Sequence, residues 1–157
     1  MDMTPTMTEP LIALDSVMRA ARIFAGITAE SVAQTGDAVT LPQLRILVLA
    51  STRPALNNTE VADALDVHLS NASRTCDRLV QAGLLSRRES PTDRRRVELN
   101  LTREGEKLLA TITAHRQAAF SHILKQMPPQ DQLALAHALD SFTDLADEHI
   151  ERRYTHL

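Results

Sequence analysis

Three consecutive arginines, Arg94, Arg95 and Arg96, follow a Ser-Pro-Thr-Asp run that is typical of a tight turn. A guanidinium group is always charged, and its planar donors suit phosphate oxygens and the acceptor edges of bases. Because side chains alternate along a strand, three adjacent arginines cannot all face the same way. The triplet therefore predicts a charged hairpin tip that reaches an anionic partner in more than one direction.

A second polar group precedes the arginines, on a segment with helical spacing from about Leu69 to Ala82. The apolar residues predicted to share its buried face are Leu69, Ala72, Cys76, Leu79 and Val80. Arginine pairs with both acceptors of guanine, and asparagine with both groups of adenine. The polar residues expected to contact DNA from this helix are Ser70, Asn71, Ser73, Arg74 and Arg78.

The elements around these residues follow a recognisable order between Asn57 and Thr102. A short helix opens at an Asn57–Glu60 cap pattern, breaks at 66–68, and is followed by the longer helix, which Gly83 ends. Two strands, 85–88 and 97–101, flank the arginine turn. This order predicts a helix-turn-helix followed by a β-wing, a unit that places one helix in the DNA major groove and a hairpin beside it.

The wing tip then has a specific expected role. Arginine on a narrow hairpin suits the minor groove, so Arg94 or Arg95 is expected to insert there while another of the three touches phosphate. Asp93 is acidic at this surface, and we expect it to hold the wing by pairing with Arg78 or Arg95. Plain turn chemistry is the alternative for Asp93.

Long amphipathic segments lie on both sides of this unit, so the predicted fold class is mainly α with a small β-wing. Residues 1–9 are predicted to be a flexible tail. Residues 10–36 and 103–157 are predicted to form a helical dimerisation region, and residues 37–102 the winged helix-turn-helix lobe. The long terminal helices indicate a homodimer, although completing a monomeric core would also use them.

The charge of the chain is uneven. The net charge is -3, yet nine basic and six acidic residues fall between Leu69 and Lys107, which leaves a basic window on an acidic remainder. A basic patch of this kind is typical of nucleic-acid binding, and the alternative is an ordinary charged surface.

Other function classes find little support. Four glycines, with no phosphate loop and no H-E-x-x-H, argue against an enzyme or a bound cofactor. Histidines such as His115 and His122 lie too far apart to hold one metal ion without further ligands. The lone Cys76 sits on a predicted buried face, which favours a core residue over a redox sensor. No signal pattern or membrane-length apolar run is present, so we expect a cytoplasmic protein.

The run from Asn57 to Gly105 resembles the MarR family of bacterial winged-helix regulators, through EVADAL, SRTCDRLVQAGLLSRRESPTDRRR and VELNLTREG. The D-x-R wing signature falls on Asp93 and Arg95, and the Leu-Thr after the second strand on Leu101 and Thr102. Two residues depart from the common family pattern: Asp66 stands in place of Gly, and His68 in place of Ser.

The resemblance implies a homodimeric repressor on a palindromic double-stranded operator. It also implies release by a small lipophilic or phenolic effector or by an oxidant, but the family's peroxide sensors carry a cysteine near the start of the first helix, where this chain has none. Phe24, Ile27 and Leu44 are candidates for lining an effector pocket, or are simply core. A winged helix used for binding a protein partner remains the alternative function.

Overall fold

The computed structural model describes residues 9–90 and 97–154, with side chains described over 13–36, 38–90 and 97–146. Over that part the fold is mainly helical with a small antiparallel sheet, as predicted. The helices are α1 (Glu9–Ala33), α2 (Leu41–Thr52), α3 (Asn58–Leu65), α4 (Leu69–Gln81), α5 (Arg103–Leu124) and α6 (Pro129–Tyr154). The strands are β1 (Leu85–Glu89) and β2 (Val97–Leu101). The chain divides into two compact units, Met1–Arg116 and Gln117–Leu157.

Two capping boxes fix where α2 and α3 begin. The Thr40 hydroxyl accepts from the Gln43 N–H at 3.5 Å, and the Gln43 side chain accepts from the Thr40 N–H at 2.8 Å. The Asn57 side chain accepts from the Glu60 N–H at 3.0 Å, and the Glu60 carboxylate accepts from the Asn57 N–H at 2.9 Å. The cap at Asn57 and Glu60 was predicted, and each of the two caps is worth about 1 kcal/mol because it satisfies amides that a helix start leaves open.

The turn between α3 and α4 depends on Asp66, which adopts a left-handed conformation with φ 54° and ψ 52°. The Val67 N–H then donates to the Ala62 carbonyl oxygen at 3.0 Å and closes the end of α3. Aspartate adopts positive φ more readily than most residues, which explains how Asp66 can stand where the family commonly has glycine. His68 follows as the N-cap residue of α4 and makes no side-chain capping hydrogen bond, since histidine is not among the residues preferred at this position.

The wing strands pair in antiparallel register, with Leu85 opposite Leu101 and Glu89 opposite Val97. A third backbone segment joins them, since the Leu99 N–H donates to the Leu56 carbonyl oxygen at 2.7 Å. Leu56 is fully buried and follows Ala55, which has a φ of 59°. The sequence did not predict this contact, because a single paired residue between two helices has no periodicity to reveal it.

The core of the first unit lies under the helix-turn-helix and the sheet. Its largest fully buried side chains come from α2, α3, α4, β1 and α5 and from the segment before α3. They are Ile46, Leu47, Leu56, Val61, Cys76, Leu79, Leu85 and Ile112. Burying one such leucine or isoleucine contributes about 1.5–3 kcal/mol, so this cluster fixes the position of α4 against the strands.

The start of α5 is locked to the loop that follows α4. The Thr102 hydroxyl donates to the Gly83 carbonyl oxygen at 2.6 Å and accepts from the Gly105 N–H at 3.1 Å. A Cβ at position 105 would overlap the Leu84 carbonyl oxygen and lie 2.9 Å from a methyl carbon of Leu101. Glycine is therefore required where the first turn of α5 packs this closely against Leu84 and Leu101.

Apolar side chains remain exposed along the terminal helices. On α1 these include Leu14, Val17, Met18 and Ile23, and on α6 they include Leu133, Phe142 and Leu145. In residues 9–90 and 97–154, no helix combines the length and apolarity needed to cross a bilayer.

Candidate nucleic-acid interface

The helix predicted to enter the DNA major groove is α4, which we call the recognition helix. The polar residues predicted on it lie there as expected. Ser70, Asn71, Arg74 and Arg78 are exposed, and Ser73 is half-buried. The opposite face of the helix is anchored by Ala72, Cys76 and Leu79, each 2% exposed or less. A helix held so firmly along one side presents the other side in a fixed orientation, which base reading requires.

Arg74 is engaged within its own helix. Its guanidinium donates to the Asn71 side-chain oxygen at 3.3 Å and, through Nε, to the Ser70 carbonyl oxygen at 3.3 Å. These are long, exposed hydrogen bonds that add little to stability, because water competes for both partners. Contact with a base would exchange them for bonds to the base edge, so Asn71 and Arg74 act as a connected pair.

Leu69 is the one member of the predicted buried face that the structure places elsewhere. It is 50% exposed, whereas Val80 is half-buried and Cys76 has no exposed surface. The prediction that Leu69 is buried was therefore wrong. The helical spacing is correct, but Leu69 is the first residue of α4 and extends one turn beyond the core that covers Ala72.

Arg87 connects the wing to the recognition helix through an ion pair with Asp77. Arg87 lies on the same face of β1 as the buried Leu85, because the two are two residues apart, and from that face it reaches Asp77 of α4. Sequence reasoning missed this pair. The alternation of β1 places Arg87 on the same face as Leu85, but nothing in the sequence shows that Asp77 lies beside that face.

On the outer face of the wing, Arg88 lies directly opposite Glu98 in the strand register. Opposite charges at such cross-strand positions stabilise a hairpin modestly. The tip itself, with Asp93, Arg94, Arg95 and Arg96, lies outside the described residues, so the roles expected for these four remain predictions.

Comparison with known proteins identifies this arrangement. The sequence model of the MarR family matches residues 39–97, which include α2, α3, α4 and β1. The HTH-type transcriptional repressor MdtR of Bacillus subtilis (strain 168) is 30% identical over 109 residues, covering 69% of this chain and 70% of MdtR. The chain belongs to the MarR family. It is accordingly a transcriptional regulator and not an enzyme.

Solved structures extend the likeness to most of the chain. RV1404 from Mycobacterium tuberculosis is 33% identical with a TM-score of 0.79, covering 92% of this chain and 97% of RV1404. A mutant of MepR from S. aureus, bound to an oligodeoxyribonucleotide, is 18% identical with a TM-score of 0.63, covering 85% of this chain and 97% of MepR. At that identity the likeness to MepR is one of fold alone.

Cys76 is a core residue of this MarR protein, as the sequence predicted. Its side chain has no exposed surface, and burial raises the pKa of the thiol to about 11, although the nearby Arg87 opposes the shift. A thiol that stays protonated at neutral pH is a poor nucleophile. Cys76 is therefore unsuited to sensing an oxidant in the folded state.

The three candidate effector-lining residues differ in how far they are buried in this MarR fold. Leu44 is buried at 5% exposure within the core, Ile27 is half-buried, and Phe24 is 41% exposed. Among the side chains of 13–36, 38–90 and 97–146, no three His, Cys, Asp or Glu groups lie close enough to hold a metal ion.

Proposed function

We propose that this chain is a repressor that binds a palindromic operator as a homodimer and is released by a small molecule. One observation supports it most directly: exposed Ser70, Asn71 and Arg74 occupy the first turns of a helix whose opposite side is buried at Ala72, Cys76 and Leu79. In helix-turn-helix proteins that end of the second helix contacts base edges.

Charge supports the same assignment. The basic window from Leu69 to Lys107 contains α4, both wing strands and the arginine triplet, while the rest of the chain is acidic. Such a distribution attracts the phosphate backbone to one side of the protein. In this proposal Arg78 and the wing arginines contact phosphate or the minor groove, and Asp93 orients the tip.

The homodimer is proposed from the apolar residues of the terminal helices. Met18 on α1 is 51% exposed, and Phe142 and Leu145 on α6 are 55% and 65% exposed. Exposed apolar patches of this kind mark association surfaces, and a two-fold dimer matches the symmetry of a palindromic site.

The MarR resemblance supports release by an effector. We propose that a small lipophilic or phenolic molecule binds preferentially to dimers whose two recognition helices are spaced too widely or too closely for the operator. Binding then shifts the population away from DNA, as any ligand with such a preference must. A regulator of this kind acts in the cytoplasm, where the chromosome lies.

The test is fluorescence anisotropy on a duplex from the region upstream of the chain's own gene, against a scrambled duplex, at two salt concentrations. We expect binding to the first duplex to be at least about 10³-fold tighter. Arg74→Ala should lose about 5- to 150-fold in affinity for the specific duplex only, since it removes a base contact.

Arg94→Ala should instead weaken binding to both duplexes and lower the salt slope by about one, as loss of a phosphate or groove contact does. Lys125→Ala, which removes one positive charge from the second unit, is the matched control and should change neither the affinity for DNA nor the salt slope. Sequence-specific regulation would be contradicted if the wild type bound the two duplexes with equal affinity and also showed no preference within a library of random duplexes. That result would favour a protein partner.

A further inference from the structure

The first turn of α4 carries an apolar surface that the core does not use. Leu69 lies three residues before Ala72 and seven before Cys76, so all three lie along one stripe of the helix. Ala72 and Cys76 are 2% and 0% exposed, whereas Leu69 is 50% exposed. The apolar stripe therefore extends beyond the core onto the exposed first turn of α4.

Val67 enlarges this surface from the adjoining turn. It is 43% exposed and lies two residues before Leu69, with exposed His68 between them. Val67 also lines an open cleft of about 460 Å³. The other residues of the cleft come from α3, the turn and α4, and they are Ala62, Asp63, Asp66, His68 and Asn71.

The charges of the cleft indicate what can approach it. The carboxylates of Asp63 and Asp66 lie beside the start of α4 and repel phosphate oxygens. The first turn of α4, which lies beside them, is therefore poorly suited to contacting the DNA backbone and better suited to contacting base edges. The apolar group that a base presents in the major groove is the 5-methyl group of thymine.

We propose that Leu69, supported by Val67, reads thymine by packing against this methyl group in each half-site of the operator. The proposal rests on the DNA-binding function proposed above and adds a base identity to it. It also distinguishes two kinds of base recognition on α4, one by hydrogen bonds and one by apolar contact. Asn71 and Arg74 must exchange an existing hydrogen bond to contact bases, whereas Leu69 and Val67 release water without losing a protein contact.

The experiment begins with selection of a tightly bound duplex from a random library by the full-length wild-type chain. Each thymine of the selected duplex is then replaced, in symmetric pairs, by deoxyuridine, which lacks only the methyl group. At one pair of positions we expect a loss of about fourfold in affinity per methyl group removed, the value of one buried carbon.

Leu69→Ala should bind the thymine duplex more weakly and should be insensitive to deoxyuridine at those positions. Leu69→Met, which keeps the apolar bulk, should retain both the affinity and the deoxyuridine penalty. Val48→Ala truncates a side chain on α2 that is 42% exposed, and as the matched control it should behave like the wild type. Thermal unfolding of each variant by circular dichroism should be unchanged, because the substituted side chains are exposed.

The outcomes distinguish this inference from the function on which it rests. A selection that yields no preferred sequence overturns both. A preferred sequence in which no deoxyuridine pair weakens binding, or in which Leu69→Ala keeps the full penalty, overturns thymine reading and leaves sequence-specific DNA binding in place.

Discussion

At the scale of single residues, burial decides chemistry that residue type leaves open. Cys76 has two charged neighbours, since Asp77 follows it in the chain and Arg87 reaches back toward it from β1. Arg87 alone would lower the pKa of the thiol, but desolvation is the larger effect and raises it. The same residue on an exposed helix face would be a candidate sensor.

This burial predicts a specific loss of stability in alkali. The pKa of Cys76 is about 11 in the folded chain, compared with 9.0 for an ordinary thiol. Between those values the folded chain binds the proton and the unfolded chain does not, so stability falls as pH rises. The stabilisation is complete below about pH 9, and its full loss amounts to about 2–3 kcal/mol.

Urea unfolding followed by circular dichroism at several pH values between about 8 and about 10.5 measures this loss. Cys76→Ala is the control, since it has no thiol to titrate but keeps every lysine and tyrosine. The free energy of unfolding of the wild type should fall more steeply than that of the variant. Parallel curves for the two proteins would contradict a buried, proton-retaining thiol.

At the scale of elements, the important junction is between α4 and the wing. Among the side chains that the structure describes, the ion pairs within α1 and within α5 each join residues of one helix. The Asp77–Arg87 pair instead joins the recognition helix to β1. Its direct contribution to global stability is small, about 0.2–1 kcal/mol, because both side chains are partly exposed. Its effect should appear locally, in how firmly the hairpin is held.

Hydrogen exchange of backbone amides tests this junction. In Asp77→Asn, the amides of Arg87–Glu89 and Val97–Leu99 should exchange about two- to fivefold faster, while those of Cys76 and Leu79 remain protected. Glu104→Gln breaks the exposed Lys107–Glu104 pair within α5, where the two atoms are 2.7 Å apart, and serves as the matched control. Unchanged exchange in the wing of Asp77→Asn would show that the strands are held by the core alone.

At the scale of the whole molecule, the proposed homodimer depends on apolar residues that one chain leaves exposed. Leu145 on α6 is 65% exposed, which is a costly position for leucine in an isolated monomer. In a two-fold dimer the same surface of each chain is buried against its copy. Loss of the dimer should then weaken operator binding, because each half-site is read by one subunit.

Leu145→Glu should therefore raise the dimer dissociation constant by at least about tenfold, since burying the new carboxylate costs more than about 1.4 kcal/mol. Sedimentation velocity across a dilution series measures the change. Thr143→Glu places the same charge two residues away, toward the opposite side of α6, and should remain dimeric. A wild-type chain that sediments as a monomer throughout, or a Leu145→Glu chain as dimeric as the wild type, would contradict the proposed surface.

The order of elements, the capping box at Asn57 and Glu60, the break at 66–68 and the polar side of α4 all follow from the amino-acid sequence alone. Each of these depends on interactions within a few residues along the chain, where spacing and residue type are sufficient. Four features become visible only in the folded chain: Leu69 extends beyond the core, Arg87 pairs with Asp77, Leu56 joins the sheet, and Gly105 must lack a side chain. These features depend on which segments, distant in the sequence, pack against each other. The hydrophobic periodicity of one segment does not show which other segment it will contact.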